Sequence, residues 1–212
     1  MEKRPLDQLP TDPADPFALA RRAADVMKRY PGWWCVCGGW AVDLHLGRLT
    51  REHEDIEVAV LRREQYLLRG YLIGWQPQYV IPGQAGRISW QGEELEPPVH
   101  ELHTRPPQRD FTRLELLLNE DNGDEWLYRR DQRVRLPLAR SVHTSPDGVR
   151  YLAPEIVLLY KSKPRAGEDE PREIDELDFS TLLPVLDAAQ RDWLRRGLEL
   201  TAPGYPWLDR LR

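Results

Sequence analysis

One uninterrupted run, residues 33–60, limits the folds open to this chain more than any other stretch. It begins with an apolar segment, 33–37, that reads as a buried strand. Gly38 and Gly39 follow and precede a short amphipathic helix over 40–46. Gly47 stands where helices commonly end on a left-handed residue. A polar turn carrying Arg48 and Arg51 leads into 55–60, which alternates as a strand does. Ile56, Val58 and Val60 share one face, and Asp55, Glu57 and Ala59 the other. Strand, glycine corner, helix, basic turn and strand point to an α/β (α+β) protein built on a mixed sheet.

The polar face of the second strand carries the chemistry. Asp55 and Glu57 would stand roughly 6–7 Å apart at the backbone, because a strand rises about 3.3 Å per residue. Two such carboxylates repel one another. Hard divalent cations with oxygen ligands, typically Mg²⁺, remove the repulsion. A pair of them about 3.5–4 Å apart binds both an attacking oxygen and a leaving phosphate. Two solvated acids on a half-exposed strand are the plain alternative. The glycine pair lets a ligand approach the backbone, and a helix N-terminus favours anions, so a triphosphate fits there. A simple strand–turn–helix corner fits the glycines equally. Arg48 and Arg51 would reach phosphates from the turn or be solvated.

Taken as one run, G-G-W-A-V-D-L-H-L-G-R-L-T-R-E-H-E-D-I-E-V resembles the signature of the small antibiotic nucleotidyltransferases. These are the aminoglycoside 2″-O-nucleotidyltransferases and the lincosamide nucleotidyltransferases of the DNA-polymerase-β-like superfamily. The resemblance implies a mixed β-sheet nucleotidyltransferase fold with flanking helices and a small helical C-terminal region. It implies Asp55 and Glu57 as metal ligands, with Gly38 and Gly39, and Arg51 nearby, facing the triphosphate. Close relatives often carry Asp where this chain has Glu57, whose longer arm still ligates Mg²⁺. Superfamily members place a third carboxylate on a neighbouring strand. The segment 111–119 sets Leu114, Leu116 and Leu118 on one face and Arg113, Glu115, Leu117 and Asn119 on the other. Glu115 is therefore the candidate, either ligating metal or taking the acceptor's proton. Pairing with Arg113 is the structural alternative, and Glu120, on the opposite face, is the reserve. The run P-E-I-V-L-L-Y-K-S-K resembles a family Y/F-K-x-K run, which makes Lys161 or Lys163 a candidate to neutralise the β/γ-phosphates. Lysines at a helix C-terminus are also favoured by its dipole. The family pattern K-D-E-x-D-F recurs over 174–179 with Ile174 in place of the lysine.

The 212 residues suit a nucleotidyltransferase domain over 1–153 followed by a helical region over 154–212. Further helices are expected over 16–30, 62–72, 173–186 and 187–200, and strands over 78–81, 87–90, 126–130, 133–138 and 149–152. The irregular stretch 91–110 reads as a pocket wall or lid. It holds His100, Glu101 and His103, with His100 or His103 open to acceptor contact. H-E-L-H is one residue short of the zinc signature, so no metal role is expected there. Cys35 and Cys37 read as buried thiols. Trp207 and Leu208 are available to dock the tail on the body.

A net charge of −5 and a pI near 5.6 argue against general nucleic-acid binding and favour a cationic small partner. No apolar run approaches the roughly 20 residues of a membrane span, and 1–10 lacks a secretory apolar core, so a cytoplasmic protein is expected. An oligomer is compatible with the sequence. The expected reaction is Mg²⁺-dependent transfer of NMP, as AMP from ATP or from another NTP, onto a hydroxyl of a small molecule such as an aminoglycoside or lincosamide-like compound. Modification or binding of a partner protein in antitoxin fashion is the alternative, as is a non-catalytic nucleotide-binding protein. A nucleic-acid-end transferase is disfavoured by the acidic charge.

Overall fold

The computed structural model describes residues 15–53, 55–105, 107, 114–162 and 172–212. Helix α1 (Ala18–Met27) turns Ala20, Ala23 and Met27 into the core. Strand β1 (Trp34–Val36) is buried throughout. Helix α2 (Gly38–Leu46) and strand β2 (Glu57–Leu61) complete the run that opens the sequence. A 3₁₀ turn, Arg62–Glu64, enters α3 (Gln65–Tyr71). Strands β3 (Gln78–Tyr79), β4 (Ile88–Ser89), β5 (Glu101–Thr104) and β6 (Leu114–Asp121) follow. Next come β7 (Glu125–Leu127), β8 (Arg135–Pro137), β9 (Val142–Thr144) and β10 (Arg150–Leu152). The chain then turns helical, with α4 (Pro154–Lys161), α5 (Glu173–Leu182), α6 (Ala188–Thr201) and α7 (Trp207–Arg210).

The sheet runs β4-β3-β5-β6-β2-β1-β10-β9, with β7 paired to β6 and β8 to β7. The pairs β2–β6 and β1–β10 are parallel and the others antiparallel, so the sheet is mixed. The central strand β2 is buried on both faces: Val58, Ala59 and Val60 have no exposed surface. Such burial suits its run of small and β-branched residues. α2 packs against β2, β10, α4 and α5.

Four expectations need correction. Helix α2 begins at Gly38 rather than Trp40, so the glycines are its first turn instead of a loop before it. It is not amphipathic, since Trp40 through Leu44 are all buried beneath the neighbouring elements. The ladder of β2 starts at Glu57, leaving Asp55 just outside it and exposed, although the Ile56 carbonyl still accepts from Glu115 N at 3.1 Å. The stretch 91–110 contains a full sheet strand, β5, whose four residues are too few to show alternation. Edge strand β9 was also unforeseen, being half exposed and only three residues long. Phe111 and Arg113 lie outside the described residues.

The break between α5 and α6 has a local cause. Asp187 caps α6 by accepting from Gln190 N at 2.8 Å, while Gln190 Oε1 accepts from Asp187 N at 3.0 Å. This reciprocal capping box satisfies two otherwise orphaned donors. The tail is held by Trp207, which stacks on Phe179 with centroids 4.1 Å apart and donates Nε1 to Glu176 at 2.6 Å. Trp207 has no exposed surface. Trp207→Ala should cost about 3–5 kcal/mol of stability by removing this packing, measured as a fall in the urea midpoint at constant m-value.

Candidate active site

The first turn of α2 is bare because the side chains of Glu57 and Arg51 lie against it. Gly38 adopts φ +62°, a region that favours glycine, and a Cβ there would collide with the Glu57 carboxylate. A Cβ on Gly39 would meet the Arg51 guanidinium and the His53 ring. The glycines thus bring an acid and a cation onto one helix N-terminus.

The rest of the run fixes that arrangement. Trp40 Nε1 donates to the backbone carbonyl of Asp55 at 2.9 Å, pinning the chain two residues before β2. Asp43 has no exposed surface, and its carboxylate holds the turn that follows. It accepts from Thr50 N at 3.0 Å and Thr50 Oγ1 at 2.5 Å, and pairs with His53 Nε2 at 2.5 Å. The His53 ring lies 4.6 Å, centroid to centroid, from Trp40. Charge-assisted bonds of this kind are the stronger class of hydrogen bond.

The sheet supplies the remaining acids. Parallel pairing of β2 with β6 sets Glu57 opposite Glu115, and antiparallel pairing of β6 with β5 sets Glu115 opposite His103. Residues paired this way share a face, so these three side chains stand in one row across the sheet. His103 is buried between two carboxylates, with Nδ1 3.2 Å from Glu115 and Nε2 2.7 Å from Glu101. Glu101, His103 and Glu115 each place a ligand atom within 4.8 Å of the others.

Burial pushes the Glu57 carboxyl up to about 7, and the Asp55 charge adds to the effect. Lys161 and Arg172 pull it down and Glu101 pushes it up. For a carboxylate so crowded by burial and by other acids, a divalent cation would offset the charge, and the carboxylate oxygens are the hard donors that Mg²⁺ takes. The donor set therefore fits a divalent cation held by Glu57 and Asp55, with Glu115 adjoining.

Cations gather on the other side. Arg51 Nε and Nη2 each reach Asp178 at 3.2 Å. Lys161 Nζ lies 2.8 Å from both Asp175 and Asp178. Arg172 grips Asp175 at 2.7 and 2.9 Å. Lys163 lies outside the described residues. Glu120, the reserve acid, is held by Arg62 Nε at 2.7 Å.

Sequence reasoning missed several members of this neighbourhood. Glu101 is absent from the expected site, and His103 is expected there only as an acceptor contact, because H-E-L-H does not match a helical zinc spacing, whereas two residues one apart share a strand face. Asp175 and Asp178 sit three apart on α5, a spacing that puts both on one helix face. Asp43 stands inside the quoted run but carries a structural role that only the folded turn reveals.

Residues 20–75 match the family model for aminoglycoside-2''-adenylyltransferase. No curated protein matches the chain. Among solved structures, ANT(2'')-Ia in complex with adenylyl-2''-tobramycin superposes with a TM-score of 0.54 at 16% identity, covering 87% of this chain and 97% of that one. The solution structure of the antibiotic-resistance factor ANT(2'')-Ia gives 0.52 at 16% identity over 86% and 90%. The lincomycin-bound lincosamide antibiotic adenylyltransferase LnuA gives 0.50 at 16% identity over 78% and 95%. The chain has the fold of these nucleotidyltransferases, and the resemblance first read from residues 38–58 holds at that level.

The raised Glu57 pKa has a testable sign. The folded state holds this proton more tightly than the unfolded chain, so the group's contribution to stability falls as pH rises from the ordinary carboxyl range through about 7. Without metal at pH 8, Glu57→Gln should stabilise the fold by about 1–3 kcal/mol. The gain should vanish near pH 4.5, below which both states are protonated. Denaturant titrations of both proteins at the two pH values check this.

Proposed function

We propose that this chain is a Mg²⁺-dependent nucleotidyltransferase that moves a nucleoside monophosphate, as AMP from ATP, onto a hydroxyl of a small cationic molecule of the aminoglycoside or lincosamide kind. The observation that carries this reading is the placement of the Glu57 carboxylate on Gly38, with Glu115 beside it across the ladder. That arrangement joins acids for a metal to a helix N-terminus for phosphate. The family model over 20–75 and the shared fold support it.

Each group then has a task. Gly38 and Gly39 let the triphosphate reach the first backbone N–H groups of α2. Arg51 and Lys161 offset its negative charge, with Lys163 a further candidate beyond α4. Asp55 and Glu57 hold the divalent cation, and Glu115 borders it. When bound, that cation supplies charge neutralisation for the phosphates. Glu115 receives the proton as the acceptor oxygen bonds to the α-phosphorus, and the bond from that phosphorus to the β-bridging oxygen breaks. Pyrophosphate leaves. His103, clamped between Glu115 and Glu101, holds the base in place. The gain over solution comes from orientation and prearranged charge. The acidic groups Glu101, Glu115 and Asp55 suit a cationic acceptor.

Pyrophosphate release, followed with each NTP across aminoglycosides and lincosamides, tests the reading. It should require both Mg²⁺ and acceptor. Asp55→Asn should lower kcat/KM by about 10³-fold, a loss of several kcal/mol of charge stabilisation. Glu115→Gln should lower kcat by about 10²–10⁴-fold, the usual range for a general base. Release that survives in Asp55→Asn would overturn the assignment.

A further inference from the structure

We propose that Asp178 is the positioning residue of the triphosphate seat, locking Arg51 and Lys161 side by side before the nucleotide arrives. The proposal rests on the nucleotidyltransferase reading and adds to it a residue that touches no substrate. Asp178 lies on α5 with its side chain wholly buried. Its two oxygens take Nε and Nη2 of Arg51, one each, at 3.2 Å. The second oxygen also takes Lys161 Nζ at 2.8 Å. Arg51 comes from the turn after α2, and its Nη2 is the atom standing over Gly39. Lys161 comes from the last turn of α4, and its charge is felt at Glu57. One carboxylate thus ties the cation above the helix N-terminus to the cation beside the acid cluster.

Stability is a weak reason for this arrangement. Burying a carboxylate with its partners costs desolvation that the attraction only partly returns, and apolar replacement is often neutral. Positioning is a better one. Arg51 and Lys161 repel each other, and an arginine and a lysine on separate elements would otherwise spend rotamer entropy on meeting a ligand. A carboxylate between them removes both costs in advance, which is preorganisation. Arg51 and Lys161 meet on Asp178, and Lys161 and Arg172 meet on Asp175, so the cations stand together where an incoming polyanion can reach them. Asp175 provides an internal contrast. It binds Lys161 and Arg172 but does not touch Arg51.

The test uses the full chain with inorganic tripolyphosphate as probe, alongside steady-state kinetics. Asp178→Asn keeps the shape and removes the charge. It should weaken tripolyphosphate binding and raise the KM for NTP by about tenfold or more, the scale of one charged hydrogen-bond partner. The KM for acceptor should stay within about twofold, and Asp175→Asn should change tripolyphosphate affinity by less than about threefold. A merely structural role predicts lowered melting temperatures for both variants with unchanged affinity, and that result overturns the proposal. If Asp178→Asn does not fold, Asp178→Glu, which keeps the charge but displaces it by one methylene, is compared with the wild type instead. Weaker tripolyphosphate binding at an unchanged KM for acceptor supports positioning, and unchanged tripolyphosphate affinity overturns it. Wild-type protein that binds no tripolyphosphate and consumes no NTP overturns the functional reading and this proposal together. Wild-type binding that Asp178→Asn leaves intact overturns this proposal alone.

Discussion

The contact on which the site depends is that of the Glu57 carboxylate with the side-chain-free start of α2. No Cβ fits on Gly38 while that carboxylate is there, and the backbone at Gly38 takes a conformation that other residues resist. The close approach sets an acid against a helix N-terminus, where unsatisfied N–H groups and the dipole favour negative charge. Burial and the Asp55 charge nevertheless push the Glu57 carboxyl up to about 7. Around it, Trp40, Asp43, Thr50 and His53 serve mainly to hold the turn and the Asp55 backbone at the right height.

Charge is sorted across this contact. Acids collect along the β2–β6–β5 row, with His103 between two of them. Cations collect where the turn after α2 meets α4 and α5, each bound to an aspartate of α5. Burial raises the pKa of Glu57, the acids on its side add to the rise, and Lys161 and Arg172 on the other side moderate it. A divalent cation with a triphosphate would complete both halves at once: the cation relieves the acids, and the phosphates meet the bases. No helix among the described residues is long and apolar enough to cross a membrane.

Much of this was legible in the sequence, for definite reasons. The 33–60 run announced its strands and helix through local signals, namely an apolar stretch, a glycine pair and a period of two. The resemblance carried by its motif supplied the fold and its acids. What stayed hidden is non-local. Strand β5 is four residues long and carries a glutamate and a histidine, so it read as loop until β6 offered it a partner. Asp175 and Asp178 read as part of a family pattern without a task, because their partners come from elements 14 and 127 residues away. That Glu57 and Glu115 face each other is a matter of register, which alternation alone leaves undetermined.

The most direct measurement of the central claim is calorimetric titration of Mg²⁺ and a non-hydrolysable NTP analogue into the wild-type chain and into Glu57→Gln. The account predicts that the wild type binds the analogue only with Mg²⁺, releasing a proton near pH 7 as Glu57 gives up its own, and that Glu57→Gln loses both the metal dependence and the proton release. Equal, metal-coupled binding by the two proteins would contradict it.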